Sequence, residues 1–159
     1  MRKHSDRRPV SPTTLSKADW PRRAIVGFSA IGVLDSLYLI WLKISDADQG
    51  CGGLGDCITV NSSVYSELFG IPIAAFGLAF YLSVIGISAL EDRHPGARGW
   101  GVLSILGLSL VGTLYSAWLT YVEVAILRAI CLFCVASALL ITAILIVSIV
   151  RVQRHVYTP

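Results

Sequence analysis

Four apolar runs, divided by short polar intervals, set the plan of the chain: residues 24–42, 71–90, 101–122 and 129–150. Each has about 20 residues, enough at roughly 1.5 Å per residue to cross a hydrocarbon layer about 30 Å thick. Within them small residues recur four positions apart, as Gly32/Ser36, Ala75/Ala79/Ser83 and Gly112/Ser116/Thr120. Such stripes let helix backbones approach closely. The pattern predicts an all-α integral membrane protein, a four-transmembrane-helix bundle forming one domain over residues 1–159. A tail (1–22) precedes the first span, and the longest interval (43–70) joins the first two. EDRHPGARG (91–99) is a short turn, and a few residues around Glu123–Arg128 make the last connection.

Composition agrees with that plan. Hydrophobic residues are 55% and charged residues only 14%, against about 25% charged in a soluble domain. The first run is too long for the roughly 7–15-residue core of a cleavable signal, and no small-residue cleavage site follows it. Arg22 and Arg23 read as a cytoplasmic charge anchor rather than a twin-arginine signal. Eleven Lys and Arg residues lie in the tail, the 91–99 turn and the segment after the fourth run; Lys43 and Arg128 alone fall on the opposite side. That bias predicts both termini in the cytoplasm and the 43–70 loop outside. The net charge of +3 then reports topology, and nucleic-acid binding need not be invoked. Trp20, Trp41 and Trp100 sit near span ends, as interfacial aromatics do. Residues 1–19, rich in Arg, Ser, Thr and Pro, read as a disordered tail.

The candidate chemistry lies in four cysteines. Cys51 and Cys57 bound the glycine-rich stretch CGGLGDC in the external loop, and Cys131-Leu-Phe-Cys134 opens the fourth run. All four fall on one membrane face, where disulfides form and persist. Four cysteines permit three pairings, and the sequence excludes none. Cys131 and Cys134, three apart, share one helix face at an amino end whose partial positive charge favours a thiolate. C-x-x-C in such a place is a reactive arrangement, although apolar burial opposes the shift. Gly52, Gly53 and Gly55 give the first pair backbone freedom, which thiol–disulfide exchange through a mixed disulfide requires. A redox relay is the favoured reading. Two fixed disulfides and a zinc site of four thiolates stand beside it.

These residues resemble the vitamin K epoxide reductase family, and its bacterial-type homologues without a fused thioredoxin-like domain in particular. The resemblance runs from about Ile25 to Ile149 and rests on Leu37-Tyr38, CITVNSS (57–63), FGIPIAAFGLAFY (69–81) and CLFC (131–134). It implies an electron path: Cys51 meets a reduced partner, Cys57 exchanges with Cys131, and Cys134 faces a quinone inside the bundle. Ser63 matches a Ser/Thr that the family places near the active cysteines, where it could hydrogen-bond a thiolate or a quinone oxygen; its plainer role is a helix cap. Ser66 is aligned with a nearby polar role. Ala138 stands where some members carry a tyrosine, which weighs against vitamin K epoxide as substrate more than against quinone reduction. Asp35 lies within the first run, where an ionised carboxylate is costly. It is a candidate proton relay, with a polar cavity or an interhelical hydrogen bond as alternatives. Asp56, Glu67 and Glu123 read as solvated loop acids, and Asn61-Ser62-Ser63 as a poor glycosylation site beside the cysteines.

The expected activity is a quinone-dependent thiol–disulfide oxidoreductase that makes disulfides on the external face. It takes electrons from a thioredoxin-fold, DsbA-like partner in trans and gives them to a membrane quinone of the menaquinone, ubiquinone or vitamin K type, with no metal. A DsbA-like dithiol near roughly −120 mV needs a stronger oxidant than glutathione at about −200 mV. The rival functions are a vitamin K epoxide or quinone reductase of an endomembrane, and a structural or metal-binding membrane protein with fixed disulfides. The expected membrane is the inner or plasma membrane of a prokaryote or the endoplasmic reticulum of a eukaryote.

Overall fold

The computed structural model describes residues 20–45, 56–94, 96 and 98–157. Four long helices carry the architecture: α1 (Trp20–Ser45), α3 (Ile73–Arg93), α4 (Arg98–Tyr121) and α5 (Leu132–Tyr157). Each is long and apolar enough to cross a membrane. Between α1 and α3 lie a short helix α2 (Cys57–Ser62), a 3-10 turn (Val64–Ser66) and a two-stranded hairpin of β1 (Glu67–Leu68) and β2 (Ile71–Pro72). A π turn (Val122–Leu127) follows α4.

The helices differ from the apolar runs at their ends, for local reasons. The second run begins at residue 71, yet Leu68 pairs with Ile71 across the hairpin and helix starts only after Pro72. Phe69 (φ 56°) and Gly70 (φ 77°) form the hairpin's two-residue tip, the geometry of a type I′ turn. The fourth run begins at residue 129, but Arg128 in the left-handed region closes the π turn and delays α5 until Leu132.

α1 packs against α3 and α5, and α4 packs closely on α5; α3 and α4 lie less closely against each other. Since lipid is as apolar as leucine, close packing rather than apolar burial drives such contacts. Gly32 illustrates this: a Cβ there would overlap the ring of the fully buried Tyr81. Ile25, Tyr81, Val84, Ile105 and Ile144 form the core toward the end where α1 begins and α5 ends. Leu39, Leu42, Cys57, Val60, Ala129 and Cys131 form a second core at the opposite end. Leu34, Leu103, Leu114 and Leu139 point outward, as lipid-facing residues do.

The end where α1 begins is closed by charges. Glu91 is 2% exposed and pairs with Arg151. Arg22 pairs with Asp92 and donates to the Ser88 carbonyl at 3.1 and 3.3 Å. A Cβ on Gly101 would strike the Glu91 side chain, so the glycine lets α4 pass close to it.

Candidate functional site: a dithiol beside an apolar cavity

At the other end, two segments distant in sequence are fastened together. The Asp56 N–H donates to the Ile130 carbonyl at 2.9 Å, while Asp56 Oδ1 caps α2 by accepting from the Thr59 N–H at 3.2 Å. The cap sets Cys57 as the first residue of α2, and the backbone bond brings it to the start of α5. Cys57 (2% exposed) and Cys131 (0%) consequently share one buried cluster. Tyr38 of α1 lies over Phe133, between the two cysteines of CLFC, with ring centroids 4.6 Å apart.

Cys131 sits just before α5 and acts as its cap. Its sulfur accepts from the Cys134 N–H at 3.3 Å, the side-chain-to-third-residue bond of an N-cap. The Cys134 thiol donates to the same sulfur at 2.7 Å. Both are free thiols, whereas Cys57 is disulfide-bonded. Two fixed disulfides are therefore not what this end of the bundle holds. Nor can a disulfide sulfur serve as one of the four thiolates of a zinc site. Cys51, Gly52, Gly53 and Gly55 lie outside the described residues.

The two thiols face different surroundings. Cys134 lines a cavity of about 500 Å³, while Cys131 lies behind it in the buried cluster. The volume falls within the roughly 300–1,000 Å³ usual for small-molecule sites. Its walls are mainly apolar and include the exposed Phe76, Val111 and Tyr115, so the cavity reaches the outer face between α3 and α4. Ser63, Ser66, Glu123 and Ser137 are polar groups on its lining. A flat apolar ring with polar edges matches this set of groups.

The expected polar residues fall as follows. Ser63 caps the end of α2, its hydroxyl donating to the Val60 carbonyl at 2.7 Å, and it also lines the cavity. Ser66 donates to the Ser63 carbonyl at 2.8 Å and accepts from Lys43 Nζ at 2.8 Å. Lys43 also pairs with Glu67 at 3.0 Å, so this acid is ion-paired as well as partly solvated. Asp35 does not line the cavity. It reaches it through Ser137, to which its carboxyl is hydrogen-bonded, and its Oδ2 is buried with no partner among the described residues. Ser137 lies one turn beyond Cys134 and is also held by the Tyr81 hydroxyl, 2.9 Å from its Oγ.

One expectation is overturned. Glu123 is not a solvated loop acid: it is 4% exposed, because the π turn folds it inward beneath the start of α5. Its Oε2 accepts from the Cys131 N–H at 3.2 Å, and its carboxyl lies within hydrogen-bond reach of Cys134, a second acceptor for the one thiol proton that Cys131 Sγ also accepts. A sequence signal existed: an acid at the edge of an apolar run, eight residues before the first cysteine of CLFC. Tyr81 and Ser137 gave no such signal, being 56 positions apart.

Four spans, a dithiol buried at one end and an apolar cavity at one of its sulfurs define a membrane helix bundle with a thiol site. The chain matches the Vitamin K epoxide reductase family over residues 23–149 and belongs to it. It is similar to the thiol-disulfide oxidoreductase LTO1 of Arabidopsis thaliana, with 29% identity over 127 residues covering 76% of this chain and 34% of that protein. The chain thus spans about a third of the length of this relative. It is an integral membrane member of that family with an all-α, four-helix membrane fold.

Proposed function

We propose that the protein oxidises a thioredoxin-fold, DsbA-like dithiol on the external face and passes the electron pair to a membrane quinone. The path runs from the partner to Cys51, through a Cys51–Cys57 disulfide, then from Cys57 to Cys131, and from Cys134 to the quinone. The observation that carries this reading is the division between the two free thiols. Cys131 shares a buried cluster with Cys57, whereas Cys134 lines the cavity. The orientation, with both termini cytoplasmic, rests on the bias of basic residues. The membrane quinone supplies the redox capacity, and the chain's residues bind and orient it.

The polar groups take subsidiary roles. Ser63 and Ser66 already give their hydrogens to carbonyl oxygens, so each faces the cavity as an acceptor, suited to a thiol or a quinol hydroxyl. Asp35 serves as a proton relay through Ser137, which touches both the carboxyl and the cavity.

The test is quinol formation by the purified protein supplied with a reduced thioredoxin-fold protein and a quinone. Alanine at Cys57, Cys131 or Cys134 abolishes it. Cys51→Ala abolishes it with the protein donor but leaves part of it with a small dithiol such as DTT. Wild-type rates in all four variants would overturn the relay.

A further inference from the structure

The Glu123 carboxyl is the one acidic group of the described residues that touches both the reactive pair and the cavity. Its burial places it away from bulk water, and the partners it has found are a backbone N–H and a thiol rather than a cation. A carboxylate buried without a cation is costly, and a buried acid that holds its proton part of the time escapes that cost. Such a group next to a thiol is placed for proton transfer, since a general base needs hydrogen-bond reach of the proton it takes.

We propose that Glu123 is the proton acceptor of the cavity-facing thiol: it takes the Cys134 proton as the dithiol is oxidised and releases it toward the reduced quinone. The inference rests on the quinone-reducing reading above. In the net step two S–H bonds break, one S–S bond forms between Cys131 and Cys134, and two electrons pass to the quinone. The proton held by Glu123 and the one from the Cys131 thiol go to the two ring oxygens, giving a quinol. Nothing else is consumed.

The surroundings of Glu123 make the sign of the effect specific. Cys131, just before α5, and Cys134 on α5 touch it; α2, which opens on the disulfide-bonded Cys57, also packs against the π turn. Tyr121 on α4 and Arg128 beyond the turn are exposed. An ionised carboxylate beside a thiol disfavours the thiolate electrostatically. Removing the charge therefore makes the thiols easier to deprotonate at equilibrium while removing the group that receives the proton. Electrostatic tuning and proton transfer thus predict opposite outcomes for Glu123→Gln, which keeps an oxygen for the Cys131 N–H.

The experiment uses the full chain in detergent, reduced with DTT and then freed of it. Single-turnover oxidation by a soluble short-chain ubiquinone analogue is followed from acid to alkaline pH, beside the rate of thiol alkylation by iodoacetamide. Wild type gives a quinone rate that climbs with pH as Glu123 loses its proton. Glu123→Gln is slower by about 10²–10⁴-fold, the usual weight of general acid–base catalysis, and lacks that limb. Its thiols alkylate as fast as wild type or faster, which also shows the site folded and reduced. Glu123→Asp, with its carboxylate one methylene shorter, recovers part of the rate. A Glu123→Gln rate equal to wild type overturns the inference alone, as does a slow variant with slow alkylation and no recovery in Glu123→Asp. Absence of quinol formation by wild type overturns the quinone reading and the inference with it.

Discussion

Each end of the bundle buries a glutamate, and the partners of the two differ. Glu91, at the end where α1 begins and α5 ends, meets the Arg151 guanidinium and lies over Gly101. Glu123, at the cysteine end, meets an amide N–H and a thiol. The first carboxylate is neutralised by a fixed cation and has no reason to move a proton. The second lacks a cation, borders a cavity and touches a group that must change its protonation during thiol oxidation. Burial alone thus says little about an acid in a membrane bundle; the partner decides whether it braces the structure or takes part in chemistry.

Substitutions at the two ends should separate these roles. The largest effect on stability is expected from Arg151→Met, which leaves Glu91 buried and unpaired and costs about 3–5 kcal/mol. Thermal unfolding in detergent would read this, and Glu91→Gln in the same chain should restore most of the loss. Quinol formation per folded molecule should stay at the wild-type value in both, because neither residue approaches the cysteines. Gly101→Ala is expected to cost less, about 1–3 kcal/mol, as the new methyl pushes against a side chain held by its ion pair. The smallest stability effect should come from Glu123→Gln, within about 1.5 kcal/mol, since an amide oxygen still accepts from the Cys131 N–H. A stability loss there as large as that of Arg151→Met would erase the distinction between the two ends.

The sequence carries some of this and hides the rest. The four spans are legible because membrane helices must be long and continuously apolar, and the runs are unmistakable. Their ends are less so: the hairpin at Phe69-Gly70 and the left-handed Arg128 are decided by local backbone geometry within otherwise apolar stretches. The pairing of cysteines with opposite surroundings is legible in part. CLFC marks its own helix start, but helical spacing places both thiols on one face. In fact Cys131 caps the helix from just outside it, and only Cys134 reaches the cavity. Glu123 was misread because a charged residue between two spans is usually solvated, and a π turn that folds it inward has no recognisable composition. Tyr81 and Ser137 were invisible for another reason: their bond joins α3 to α5, and nothing local to either announces it.

The central claim is that Cys131 faces the loop pair while Cys134 faces the quinone. Peptide mapping without reduction, in single Cys→Ala variants purified with the loop disulfide intact and no reductant added, tests it most directly. Cys134→Ala should accumulate a Cys57–Cys131 disulfide: the Cys131 thiolate attacks Cys57 of the loop disulfide, Cys51 leaves as a thiolate, and no Cys134 thiol remains to displace Cys57. Cys131→Ala should give little or no Cys57–Cys134 disulfide. Equal yields of the two crosslinks, or a Cys57–Cys134 bond in preference, would contradict the division of labour on which the account stands.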